Sequence, residues 1–170
     1  MRRLLKIFLI INMVSSLPSI LPAESLKMTP AKSDMVDIES DRLDVDTKSG
    51  TAIFKGNAKA VKTDSVVKGD VLTVTYNTKT HKVNTLIAEG NAYILWKGRE
   101  ATCNKAVYNL VDDIMVLTGN VIITRGEERV IGEKATMNMK NDTQVVEGGG
   151  GRVKVRVNTG KESGVMQWGK

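Results

Sequence analysis

The sequence predicts an all-β protein: an open antiparallel sheet folded over on itself like a jelly roll, built from about four repeats of roughly 30 residues. Three observations carry this. A Gly-Asn pair followed by small and apolar residues recurs as GNAKA at 56–60, GNAYI at 90–94 and GNVII at 119–123. Apolar residues alternate with a period of two. In GRVKVRV, Val153, Val155 and Val157 oppose Arg152, Lys154 and Arg156, and LTVTY sets Leu72, Val74 and Tyr76 on one face. Past residue 23, no window of a dozen residues keeps a helical apolar stripe, and Pro30 is the only proline, so the sheet region contains none.

In chain order, residues 1–23 read as an export signal: Arg2, Arg3 and Lys6, then an apolar run over 4–14, then a small-residue stretch ending in LPA. The run is shorter than the ~20 residues of a spanning helix, which disfavours an uncleaved anchor. Cleavage is expected after Ala23, with Ser16 as the other candidate, and the destination is periplasm-like. Residues 24–35 form an N-terminal extension, 36–157 the β-domain, and 158–170 a C-terminal tail.

Cleavage would remove three of the 25 Lys and Arg and none of the 19 acids, leaving 22 against 19, a net charge of +3. These charges are interspersed and aromatics are few. A nucleic-acid surface, which clusters cations with stacking rings, is not expected. The single cysteine, Cys103, permits no internal disulfide, and it reads as a small buried hydrophobe. His81 lies in a turn. Neither has a ligand or triad partner nearby, so no metal, cofactor or catalytic residue is expected.

Each repeat is anchored at Val45, Tyr76, Tyr108 or Met137. Three of these stand eleven residues before Gly56, Gly119 and Gly148; Tyr76 precedes Gly90 by fourteen, a three-residue insertion. Asp46, Asn77, Asn109 or Asn138 follows each anchor. Turn pairs come next at Ser49-Gly50, Thr80-His81, Asp112-Asp113 and Asn141-Asp142. The expected unit is strand, two-residue turn, strand, Gly-Asn corner, strand.

Propagating one face through this unit pairs Leu110 with Met115 and carries the inward face from Met115 and Leu117 through Gly119 to Val121 and Ile123. The same steps give an inward set of Val36, Ile38, Val45, Phe54, Val74, Tyr76, Ile94, Trp96, Tyr108, Leu110, Leu117, Val121, Ile123, Met137 and Met139. Gln144 is also carried inward on the way to Val146. On the residues alone, this set serves a closed sandwich core as well as an open interior. A small outer-membrane barrel fits worse, because it needs ~10-residue strands with an outward apolar band and aromatic girdles.

The segments DIESDRLDVD, AIFKGNAKAV, YNLVDDIMVLTGNVII and NMKNDTQVVEG resemble the OstA-like β-domain of the LptA family of periplasmic lipopolysaccharide-transport proteins. The likeness runs from about 36 to 157 and is sharpest at IESD (38–41) and LTGN (117–120). It implies a twisted, V-shaped folded-over sheet whose apolar interior holds lipopolysaccharide acyl chains, with no enzymatic step. It also implies head-to-tail joining of copies by edge-strand pairing, bridging inner-membrane and outer-membrane transport components that carry related β-domains. The expected edges are Val36, Asp37, Ile38 and Glu39 at one end, and Val153, Lys154, Val155, Arg156 and Val157 at the other. A cleavable signal and the lack of a following barrel favour the soluble bridge.

Overall fold

The computed structural model describes residues 35–160. The expected signal, nearly all of the N-terminal extension and residues 161–170 lie outside them. The described residues form ten strands: β1 (Asp37–Glu39), β2 (Arg42–Asp46), β3 (Thr51–Lys62), β4 (Ser65–Tyr76), β5 (Val83–Trp96), β6 (Arg99–Asn109), β7 (Ile114–Arg125), β8 (Glu128–Asn138), β9 (Thr143–Glu147) and β10 (Lys154–Arg156). All belong to one antiparallel sheet, ordered β1-β3-β4-β5-β6-β7-β8-β10, with β2 beside β3 and β9 beside β8. β1 and β2 lie along opposite halves of β3, and β9 and β10 along opposite halves of β8. Each edge is thus a strand line broken at its middle. β1 and β10 do not pair, so the sheet is open.

The break continues across the sheet as a crease. Register shifts fall at Lys55/Ala58, Lys68/Val71, Glu89/Ala92, Thr102/Lys105 and Thr118/Val121, one in each successive strand pair. On β3, β5 and β7 the shift is the Gly-Asn pair, with both residues in the left-handed region: φ is 78° and 46° at Gly56-Asn57, 73° and 48° at Gly90-Asn91, and 78° and 51° at Gly119-Asn120. Each pair is an extra residue in an otherwise continuous strand, a β-bulge, which bends the strand and sharpens its twist. The corner expected between two strands is therefore a bend inside one.

A polar side chain fills the space beside each glycine: Asp41, in the break between β1 and β2, at Gly56, and Asp70 of β4, Asn104 of β6 and Glu133 of β8 at Gly90, Gly119 and Gly149. Asn57 and Asn91 donate to Asp41 and Asp70 at 3.3 and 3.1 Å. Gly149, within the four-glycine run, takes the fourth position of this column. The column divides the sheet into two leaves.

At the free end of the first leaf, Asp46, Asn77, Asn109 and Asn138 each accept hydrogen bonds at Oδ1 from two backbone N–H groups, two and three residues on. These Asx turns open four-residue loops, 47–50, 78–81, 110–113 and 139–142, that end in a left-handed residue: Gly50, His81, Asp113 or Asp142. The expected two-residue turns are the second halves of these loops. Met115 consequently pairs with Tyr108 and not with Leu110. The error is two residues, so the inward face survives it. The three-residue insertion before Gly90 divides into one bulge residue at Asn84 and one further two-residue step of paired strand. The second leaf has two-residue turns, such as Lys97-Gly98, where both φ values are positive.

The core is the shared inner face of both leaves. Leu72, Leu117, Val121, Ile123 and Ile94 are its largest fully buried side chains, each stabilising by about 2 kcal/mol through removal from water. Ala58, Ala88, Ala92, Ala106 and Ala135 lie beside the crease and are 5% exposed or less. The leaves converge there, and small side chains let them meet.

Candidate functional site

The inner face carries the buried apolar core that both leaves share. Ile94, Trp96, Leu117, Val121, Ile123 and Met137 are buried in it, and Ile38, Phe54, Tyr108 and Met139 pack against them half-buried. Val74 and Tyr76 share this face by register and are also half-buried. Three inward residues are not covered. Leu110 is 40% exposed because the Asn109 turn puts it in the loop. Val45 and Val36 are 54% and 47% exposed, since Val45 lies on an edge strand and Val36 precedes one, with no facing strand to close over them.

The interior is packed at its middle and open at its rims. An apolar cavity of about 10 Å³ lies between the leaves, lined by Val67, Leu86, Ala88, Ile94, Ala106, Tyr108 and Met115. That is room for about one water-sized sphere. At the rims, Leu43 and Val45 on β2 stand opposite the inward Phe54 and Ala52, and Val155 on β10 stands opposite the inward Val130; all three are more than half exposed.

Two titratable groups on this face are perturbed. Burial pushes the Cys103 thiol up to about 11, so it is protonated and unreactive near neutral pH. Burial, reinforced by donation to the Asp113 carboxylate, pushes the Tyr108 hydroxyl up to about 12.

One polar feature of the interior escaped the periodicity argument. Arg99, 5% exposed, opens β6 at the free end of the second leaf and reaches Asp142 in the β8–β9 loop of the first. Nη1 donates to Oδ1 at 3.0 Å and Nη2 to Oδ2 at 3.5 Å, across 43 residues. The two free ends therefore meet. Carrying the inward face from Trp96 through the Lys97-Gly98 turn would have put Arg99 inside; no local pattern identifies its partner.

The two edges differ in charge. β1 turns Asp37 and Glu39 to the outer face, while β10 turns Lys154 and Arg156 there, with Arg156 directly opposite Arg129. The unbroken strand expected over 152–157 is paired only at Lys154–Arg156, and the one around 36–40 only at Asp37–Glu39.

Residues 37–143 match the profile of the family described as LptA/(LptD N-terminal domain) LPS transport protein. An uncharacterized protein of Rhizobium meliloti (strain 1021) is 27% identical over 130 residues, spanning 72% of this chain and 70% of that protein. The crystal structure of LptH from Pseudomonas aeruginosa, described as the LptA-homologous periplasmic component of the conserved lipopolysaccharide transport device, matches with a TM-score of 0.67. The identity is 14%, covering 76% of this chain and 99% of that one. At that identity the likeness is one of fold.

Proposed function

The chain belongs to the LptA/LptD N-terminal-domain family of lipopolysaccharide transport proteins, and from that membership we propose that it is a non-enzymatic carrier. It shields lipopolysaccharide acyl chains in its interior between the inner and outer membranes. The observation that carries this is the inner face, apolar across both leaves apart from buried Arg99 and Glu128 at the free end of the second, and left uncovered at both edges. Exposing an acyl chain of about fourteen carbons to water costs roughly 10 kcal/mol, at about 0.8 kcal/mol per CH₂. An apolar face with a mixed-charge exterior offsets that cost without chemistry. The energy for directed movement then comes from a partner. Export by residues 1–23 to the periplasm is part of the same proposal.

The edges supply the continuity a bridge needs. Strand addition would satisfy their unpaired backbone groups. If β1 of one copy pairs with β10 of the next so that the inner faces join, Ile38 adjoins Val155. Asp37 and Glu39 then fall beside Lys154 and Arg156. Such a contact does not close on itself, so copies add head to tail. Related β-domains of inner-membrane and outer-membrane components would join the ends by the same pairing.

The 10 Å³ cavity favours a second reading, a closed-core interaction module, because no acyl chain fits it as it stands. Photo-crosslinking separates the two. Probes at Ile38 and Tyr108 should capture glycolipid in cells, and probes at Glu39 and Asn109 should not. Equal capture on both faces, or none on either, rejects the carrier.

A further inference from the structure

β10 is an edge strand of three residues, Lys154–Arg156, paired on one side with β8 and on the other with no described strand. Its inner-face residue Val155 is 56% exposed, and Val153 and Val157, at the same parity, are 37% and 43% exposed. We propose that residues 163–168 of the same chain form a strand that caps this edge in a lone copy and yields it to β1 of a joining copy. The inference rests on the head-to-tail reading and adds its regulation.

The turn that returns the chain to β10 has already begun at Asn158. Asn158 follows Val157 as Asp46, Asn77, Asn109 and Asn138 follow the inward Val45, Tyr76, Tyr108 and Met137. Like them, it accepts a hydrogen bond at Oδ1 from the backbone two residues on, here Gly160 N–H at 2.9 Å. Its Nδ2 donates to Glu127 at 3.2 Å, which holds the turn beside the β7–β8 connection. After Asp46, Asn109 and Asn138, the next strand starts five residues on and pairs with the Asx residue itself. The same step from Asn158 reaches Ser163. Antiparallel pairing then sets Met166 opposite Val155 and Trp168 opposite Val153, so both face the interior. A two-residue turn at Thr159-Gly160, the length used at Lys97-Gly98, shifts the pairing by two residues and leaves every face unchanged.

The segment suits a cap that can be displaced. Gly164, Met166 and Trp168 alternate with Val165 and Gln167, a strand period with the two largest apolar side chains on one face. That face covers the valine rim and removes it from water. On the outer face, Val165 and Gln167 fall beside Arg156 and Lys154 and bring no carboxylate. In the joint with a second copy, β1 brings Asp37 and Glu39 to the same place and supplies the opposite charge that the tail lacks. A covered edge also protects the lone copy from indiscriminate strand addition.

The test labels the protein with 5-fluorotryptophan, which gives two fluorine signals, from Trp96 and Trp168; Trp168→Phe assigns them. In dilute protein the Trp168 signal should be shielded, with little shift between H₂O and D₂O. It should move to the solvent-exposed position as concentration drives joining. Removing residues 161–170, or making Met166→Asp/Trp168→Asp within the full chain, should tighten self-association in sedimentation. The expected gain is about tenfold, the factor for an edge free in roughly one copy in ten. A Trp168 signal that is exposed throughout, or that stays shielded as copies join, overturns the cap while joining stands. Association weakened or unchanged in either variant does the same. No association of wild type or of either variant overturns joining and the cap with it.

Discussion

Asp70 on β4 occupies the space beside Gly90 on β5: a Cβ at Gly90 would lie 2.8 Å from Asp70 Cγ, and Asn91 donates to the same carboxylate at 3.1 Å. Gly90 also holds φ at +73°. The bend of the sheet at this point therefore has two causes, a backbone conformation favoured by glycine and a neighbour that excludes a side chain.

Gly90→Ala should accordingly destabilise the domain by about 1–3 kcal/mol, the range for a strained left-handed residue, with the Asp70 overlap added. Removing the overlapping carboxylate in Asp70→Ala/Gly90→Ala should recover part of that loss and leave the φ strain, so the two changes should not be additive. Urea unfolding of the two single variants and the double variant checks this. A simple sum of the single effects would remove Asp70 from the account.

Much of this fold was legible because β-structure writes itself with a period of two. The inward face carried through Gly119 reached Val121 and Ile123 correctly, although a bulge can invert faces, because neighbouring β6 and β8 absorb the parity change. Asn109 marked its loop but not its length: its side chain caps the backbone of Val111 and Asp112, drawing Leu110 into the turn. Exposure of Val36 and Val45 depends on which strands lie at an edge, which is a property of the whole sheet. The Arg99–Asp142 contact joins residues that only the fold-over brings together.

The raised values of Cys103 and Tyr108 fix the direction of a pH effect. Both folded-state values exceed the ordinary ones of 9.0 and 10.0, so the stability they contribute is complete below those ordinary values. It is lost as pH rises through about 11 for Cys103 and about 12 for Tyr108. Unfolding free energy should therefore decline from about pH 9 upward. Cys103→Ser should be nearly silent at neutral pH yet flatten the lower part of that decline, and Tyr108→Phe the upper part. Denaturant titrations across this range would contradict the assignment if the variants tracked wild type.

Charge at the edges gives a third expectation. Lys154→Glu/Arg156→Glu should abolish self-association while leaving the monomer folded, and Asp37→Lys/Glu39→Lys should do the same. Mixing the two variants should restore both joints, the acidic β10 edge of the first on the basic β1 edge of the second and the unaltered β10 edge of the second on the unaltered β1 edge of the first, so growth resumes with the two variants alternating. Deletion of residues 152–170 should prevent growth altogether. Light scattering with sedimentation distinguishes these states, and oligomers from the truncated protein matching those of the full chain would exclude β10 as the joining edge.

The carrier itself is tested most directly by native mass spectrometry of the protein isolated, without detergent exchange, from cells that make lipopolysaccharide. The account predicts a population carrying a mass increment equal to one lipopolysaccharide or its lipid-bearing core, lost when Tyr108 and Phe54 are replaced by aspartate at the lip of the interior. A spectrum containing only the lipid-free chain, from cells in which the protein is working, would contradict it and leave the fold as a closed interaction module.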